Sequence, residues 1–292
     1  STLIMTHIAI FFSSGAFGDC ARHAILHALS VESGVQEVTI YSNERNMPTL
    51  NLANYKCGCG DDIHHGEDFE RMLSNYGSNP NDKKQVERVV VDVTNSKEVQ
   101  EKVNLSGVDA VISGLGNRQM FIGDRVARQG TNNILKIMKR DNVHRIVIMT
   151  SMGINEDKPC MEWRSEGKFM TALFNTVSLR EYRDLSRMEK DVRKASDNGS
   201  DLNYLLVRPV GLGEECVPRG EYFVQKKKFD DALGPNMAKS DVGLFLLDQV
   251  RQPTYNNVAV VVGADPREAH VSFMEAGLTK EVKAANDEEE KK

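Results

Sequence analysis

The chain has 292 residues, 40% of them apolar and 27% charged, with a net charge of −5. Those totals suit one large α/β domain with a substantial core, and the absence of a broad basic field argues against nucleic acid as a partner. No apolar run approaches the length of a membrane span, and no signal-peptide pattern opens the chain. Five cysteines, two of them close together in a Gly-rich stretch, do not resemble a secreted disulfide framework. A cytoplasmic location is therefore expected. The start at Ser1 fits either a tag remnant before Met5 or a removed transit peptide, which would place the protein inside an organelle.

Apolar β-prone runs alternate with amphipathic helical runs along the chain. The run His7–Phe12 reads as a buried strand, and a helix over Ala16–Leu29 follows. Strands are expected at Gln36–Tyr41, Glu87–Val91, Val108–Ser113, Arg145–Thr150, Asn203–Val207 and Val258–Val262. Helices are expected at Ile122–Lys139 and Tyr182–Ala195. Short Val/Ile runs imply strands buried on both faces, and intervening helices imply parallel crossovers. Together they predict a doubly wound parallel sheet, a Rossmann fold, as a single domain over residues 5–275. The stretch 51–84, rich in Gly, Asn, Asp and His, reads as an inserted surface loop after the second strand. Residues 276–292 read as a charged tail.

The turn between the first strand and first helix is Phe12-Ser13-Ser14-Gly15-Ala16-Phe17-Gly18. There Gly15 lets the backbone approach a pyrophosphate, and Gly18 lets the helix pack closely on the strand. The free N–H groups of the helix start face the phosphates, and Ser13 and Ser14 add hydroxyl donors. The bland alternative is a strand–helix turn that merely needs glycine.

Further pieces recur at strand ends: Asp92-Val93-Thr94, Ser113-Gly114-Leu115-Gly116, Thr150-Ser151-Met152-Gly153 and Val207-Arg208-Pro209. With the first turn, this ordered set resembles the atypical short-chain dehydrogenases/reductases of the NmrA-like type, close to the biliverdin reductase B and flavin reductase group. The resemblance runs from about His7 to Val262 and skips the insertion. It implies that Gly15, Ala16, Phe17 and Gly18 lie along the pyrophosphate of a nicotinamide dinucleotide. It sets Asp92 and Val93 near the adenine, Ser113, Gly114 and Leu115 beside the cofactor, and Thr150 and Ser151 at the nicotinamide. The implied activity is hydride transfer from NAD(P)H to a planar acceptor such as a flavin, quinone or tetrapyrrole.

Three departures from that pattern stand out. Phe12 occupies the place of the first glycine; it either narrows the adenosine side of the groove or is the last core residue of the strand. At the end of the second strand, Asn43 and Arg45 favour the 2′-phosphate of NADP(H), with NAD(H) as the alternative, although Arg45 equally reads as a solvated loop residue. Tyr182 is followed four residues on by Ser186, so the usual Tyr–Lys pair is absent. Ser151 then becomes the residue expected to orient the chemistry, with Tyr182 either reaching the site or packing in the core.

Cys57, Cys59, His64 and His65 lie close in the insertion, but their spacing matches no common zinc site, and no metal is expected. The run Lys226-Lys227-Lys228 reads as a solvated face. Trp163, Met161, Phe169 and Met170 suit either an apolar lid over a planar substrate or simple packing. The rival reading is a non-catalytic redox sensor or an accessory subunit that meets a protein partner through the insertion and tail. An isomerase or epimerase on the same fold is a weaker option, since its usual Tyr–Lys pair is missing.

Overall fold

The computed structural model describes residues 7–13, 15–29, 33–43, 85–116, 126–152, 154, 179–197, 199–213, 220, 222–226, 233–234 and 236–264. The expected insertion, the charged tail and the aromatic segment around Trp163 lie outside them.

Ten strands and five helices are described. They run β1 (His7–Phe12), α1 (Ala16–Leu29), β2 (Glu37–Ser42), β3 (Gln85–Val90), α2 (Ser96–Lys102), β4 (Ala110–Gly114), α3 (Val126–Arg140) and β5 (Arg145–Met149). The second half runs α4 (Leu179–Asp197), β6 (Asn203–Pro209), β7 (Gly211–Gly213), β8 (Phe223–Gln225), β9 (Asn236–Ala238), α5 (Lys239–Arg251) and β10 (Val258–Gly263). Eight strands form one sheet in the order β3-β2-β1-β4-β5-β6-β10-β8. The short pair β7–β9 stands apart. Every pairing in the large sheet is parallel except that of β8 with β10. The chain order reverses between β1 and β4, the place where open α/β sheets form a ligand crevice.

Strand alternation sends side chains to two separate cores. Ile8, Ile10 and Phe12 join Ile112, Val147 and Val207 beneath α1 and α5. Their alternates Ala9, Phe11, Val111, Ile146 and Leu206 join Val99 of α2, Ile134 of α3 and Met188 of α4 on the other face. Both faces are covered, which is why the central strands read as unbroken apolar runs.

Two helices were not expected from the sequence. α2 is capped by Asn95, whose side chain accepts from the Lys97 and Glu98 backbone N–H groups. α5 is buried nearly all round and lies on α1, with Gly243 at the crossing. A Cβ there would come within 2.6 Å of His23 Cβ and 2.8 Å of the Cys20 carbonyl oxygen. The expected strands all appear, β1 with the expected bounds and the others within two residues at each end. The expected helix at Ile122–Lys139 is described from Val126 onward, and the one at Tyr182–Ala195 starts a turn earlier at Leu179.

Candidate active site

The parallel register brings the carboxyl ends of β1, β2, β4, β5 and β6 to one edge, with Phe12 opposite Gly114 and Met149 opposite Val207. At the switch point the β1 and β4 ends are latched by one hydroxyl. Ser13 Oγ donates to the Gly116 carbonyl (2.7 Å) and accepts from the Gly116 N–H (2.9 Å). Ser13, expected as a phosphate donor, is buried with its hydroxyl in these bonds.

The turn into α1 is built for backbone contact. Gly15 has φ 100°, a conformation that disfavours other residues, and its carbonyl accepts the first helical bond from Asp19 N–H (3.0 Å). A Cβ on Gly18 would lie 1.7 Å from the Ser13 carbonyl oxygen. On Gly114 it would meet Ala21 Cβ at 2.7 Å, and on Gly116 the Phe17 ring at 2.9 Å. Three glycines thus press α1 onto the ends of β1 and β4. The N–H groups that open an α-helix ahead of its first i→i−4 bond have no partner within the helix, which makes such a terminus suited to anions in general. Asp19, in that first turn, would oppose an anion, but Arg22 (2.7 Å) and Lys239 (3.0 Å) both bond its carboxylate.

Phe12 does not protrude into this crevice. Its ring is 1% exposed, lies in the core beneath α1, and carries the Arg22 guanidinium 5.3 Å from its centroid. Of the two readings of Phe12, the structure has the last core residue of β1.

The remaining expected residues divide into exposed and buried sets. Ala16 and Asn43 are exposed, and Gly15, Phe17 and Ser151 are partly exposed. Asp92 is exposed but bonds its own turn, its Oδ1 accepting from Thr94 N–H (2.9 Å) and Thr94 Oγ1 (2.7 Å). Asn133 and Gln129 of α3 hold that turn by donating to the carbonyls of Val93 (3.0 Å) and Thr94 (2.7 Å). Val93 and Leu115 are buried under α3, where a Cβ on Gly130 would strike Leu115 Cδ1 at 2.7 Å. Ser113 is fully buried, and its hydroxyl has no hydrogen-bond partner among the described residues. Ser14 and Arg45 lie outside the described residues.

Thr150 is also fully buried. Its hydroxyl donates to Glu189 Oε1 (2.9 Å), and Arg208 grips the same carboxylate through Nε (2.9 Å) and a terminal nitrogen (2.5 Å). Sequence reasoning missed Glu189; its only signal was the Arg208 of the quoted Val-Arg-Pro run. Ser151 Oγ donates to the Met152 carbonyl (3.2 Å). Tyr182, near the start of α4, is half-buried against the second core. Beside it, burial and to a lesser degree Asp184 push the Glu181 carboxyl above its usual range. Lys226, the described member of the lysine run, lies 4.3 Å from the Tyr255 ring centroid.

A family model described as NAD(P)H-binding matches residues 71–253, more than half of the chain. The protein belongs to this NAD(P)H-binding family. The match begins downstream of the Gly15–Gly18 turn. No curated relative matches the chain in sequence. Solved structures share the fold at low identity. A wide-type short-chain dehydrogenase/reductase from Veillonella parvula, in complex with NADP, is 15% identical with a TM-score of 0.55, covering 88% of this chain and 94% of its own. A candidate NADH-flavin reductase from Streptococcus pneumoniae is 14% identical (TM-score 0.54; 89% and 100% covered). A candidate NAD-dependent epimerase/dehydratase from Bacillus halodurans is 15% identical (TM-score 0.52; 89% and 98% covered). Among the described residues no helix is long and apolar enough to cross a membrane, and no group of three or more His, Cys, Asp or Glu residues could hold a metal ion. Cys57, Cys59, His64 and His65 lie outside those residues.

Proposed function

We propose that this NAD(P)H-binding protein is a reductase that passes hydride to a planar acceptor of the flavin, quinone or tetrapyrrole kind. The observation that carries the reading is the side-chain-free cradle at the β1/β4 switch point. Gly18 and Gly114 allow the α1 N-terminus to sit directly on the strand ends, and the Ser13–Gly116 latch fixes the floor.

The residues present fit a dinucleotide. The first-turn N–H groups of α1 would hold the pyrophosphate, with the Asp19 charge offset by Arg22 and Lys239. Asp92, on a turn braced by α3, borders the adenine side. Asn43, with Arg45, favours NADP(H). When bound, the nicotinamide supplies the hydride. Ser151 is the partly exposed hydroxyl at the β5 end and would orient the acceptor or the carboxamide. Tyr182 has Ser186 and not Lys four residues on, which suits an acceptor whose reduced ring takes its proton from water.

The test is a titration with NADPH and NADH by fluorescence or calorimetry, followed by NADPH oxidation over a panel of flavins, quinones and tetrapyrroles. Tight NADPH binding with turnover of one acceptor class supports the reading; binding without any turnover refutes it. A second reading, a non-catalytic redox sensor or accessory subunit acting in the cytoplasm or an organelle, is favoured by Ser186 following Tyr182 in place of Lys. It predicts cofactor binding without turnover, together with a protein partner held through residues 51–84 or the charged tail.

A further inference from the structure

A charged pair is buried beside the carboxyl ends of β5 and β6. Glu189 and Arg208 are 0% and 1% exposed at their side chains. Replacing a buried pair of this kind by apolar residues is often neutral or stabilising, so stability alone is a poor reason for it. Its geometry suggests another.

Two backbone bonds tie the β5 end to β6. The Thr150 N–H donates to the Val207 carbonyl (2.8 Å) and the Met152 N–H to the Pro209 carbonyl (3.3 Å). Ser151 therefore lies between two anchored residues, and the register sets its neighbour Thr150 opposite Arg208. From Arg208 the side-chain path returns through the Glu189 carboxylate to the Thr150 hydroxyl. The ring Thr150–Glu189–Arg208–Val207 is closed. Two Arg208 nitrogens set the plane of the carboxylate, and that plane sets the Thr150 rotamer.

We infer that Glu189, clamped by Arg208, is a positioning residue that acts through Thr150 to fix the Ser151 hydroxyl beside the nicotinamide. The inference rests on the part of the proposed function that sets Ser151 beside a bound nicotinamide. Thr150 accordingly serves by its buried hydrogen bond and not by touching the cofactor.

The decisive variant is Thr150→Val, which keeps the shape and removes the donated proton. Glu189 Oε1 keeps its bond from Arg208 Nε, so no charge is orphaned. Two readouts are taken: fluorescence anisotropy of NADPH bound to the protein alone, and kcat with the best acceptor. The expected result is lower anisotropy, an NADPH Kd within about twofold of the parent, and kcat down by about three- to tenfold, the worth of one hydrogen bond. Thr150→Ser restores both. Unchanged anisotropy in T150V, or an equal defect in T150S, overturns the inference while leaving the reductase reading intact. If T150V does not fold, Arg208→Lys, which keeps the charge but loses the fork, must lower the anisotropy, and an unchanged value overturns the inference. Failure of the parent protein to bind NADPH removes both readings. Binding without acceptor turnover removes the reductase reading alone, since anisotropy still decides the positioning role.

Discussion

Replacing Gly18 by Ala tests the cradle at its tightest point. The added carbon would sit 1.7 Å from the Ser13 carbonyl oxygen and 2.9 Å from its carbonyl carbon. Both are backbone atoms at the end of β1, so no rotamer change relieves the overlap. Ser13 or the first turn of α1 must move, and the two bonds between Ser13 Oγ and Gly116 are the first to break. Each leaves a buried polar group poorly paired, at about 1–2 kcal/mol apiece, for a total of about 2–4 kcal/mol. For a chain of this length that lowers Tm by roughly 5–12 °C. On the proposed reading, in which this turn carries the phosphates, the NADPH Kd rises by at least about tenfold. Gly199→Ala is the control. Gly199, unlike Gly18, has a left-handed φ of +71°, and no atom lies within 4 Å of the added carbon. It costs about 1 kcal/mol of backbone strain and leaves NADPH affinity unchanged. Thermal unfolding and nicotinamide fluorescence measure both quantities on both variants. A G18A protein with the parent Tm and Kd would refute the argument that this contact shapes the site.

Phe12→Ala removes a buried ring and should cost about 3–5 kcal/mol in a denaturant melt, without improving NADPH affinity. A tenfold gain in affinity would mean that the ring obstructs the groove after all. Gly130→Ala overlaps the flexible tip of Leu115, so a milder loss of about 1–3 kcal/mol is expected, and Leu115→Ala on top of it should recover part of that loss in a double-mutant cycle. His27 supplies a pH test. Burial lowers its pKa, against opposing effects from its bond to the Ser240 carbonyl and from Asp241 and Asp248. The unfolded chain thus binds the proton more tightly. The associated stability is present above about pH 6.5 and declines as pH falls through the folded value. His27→Gln should flatten that part of the stability–pH curve, and an unaltered slope would show that other groups set it.

The sheet was readable because β1, β4, β5 and β6 are buried on both faces and need continuous Val, Ile and Leu. α5 was not readable for the same reason. Lys239, Asp241 and Gln249 are buried along with Phe245 and Leu246, so no polar stripe marks a helical period. α2 carries one buried apolar residue, Val99, and only its cap, Asn95 followed by Glu98, betrays it. Phe12 continues the alternation of Ile8 and Ile10, and that period already assigned it to the core; the glycine fingerprint drew attention away. The loop glycines could be found from local sequence because they answer a local steric demand. Glu189 could not. In the run Arg187-Met188-Glu189-Lys190 it looks like its solvated neighbours, and only the approach of Arg208 from another strand distinguishes it.

The glycines around α1 have a thermodynamic consequence. Gly114 admits the helix from the sheet side, Gly18 from the strand end and Gly243 from α5, each at backbone distance. A helix held on three sides by main chain has no side-chain rotamers to freeze when a ligand arrives. On the proposed reading, the N-terminal amides would therefore meet a pyrophosphate already ordered, and the entropic penalty of binding would fall on the dinucleotide and on segments away from α1.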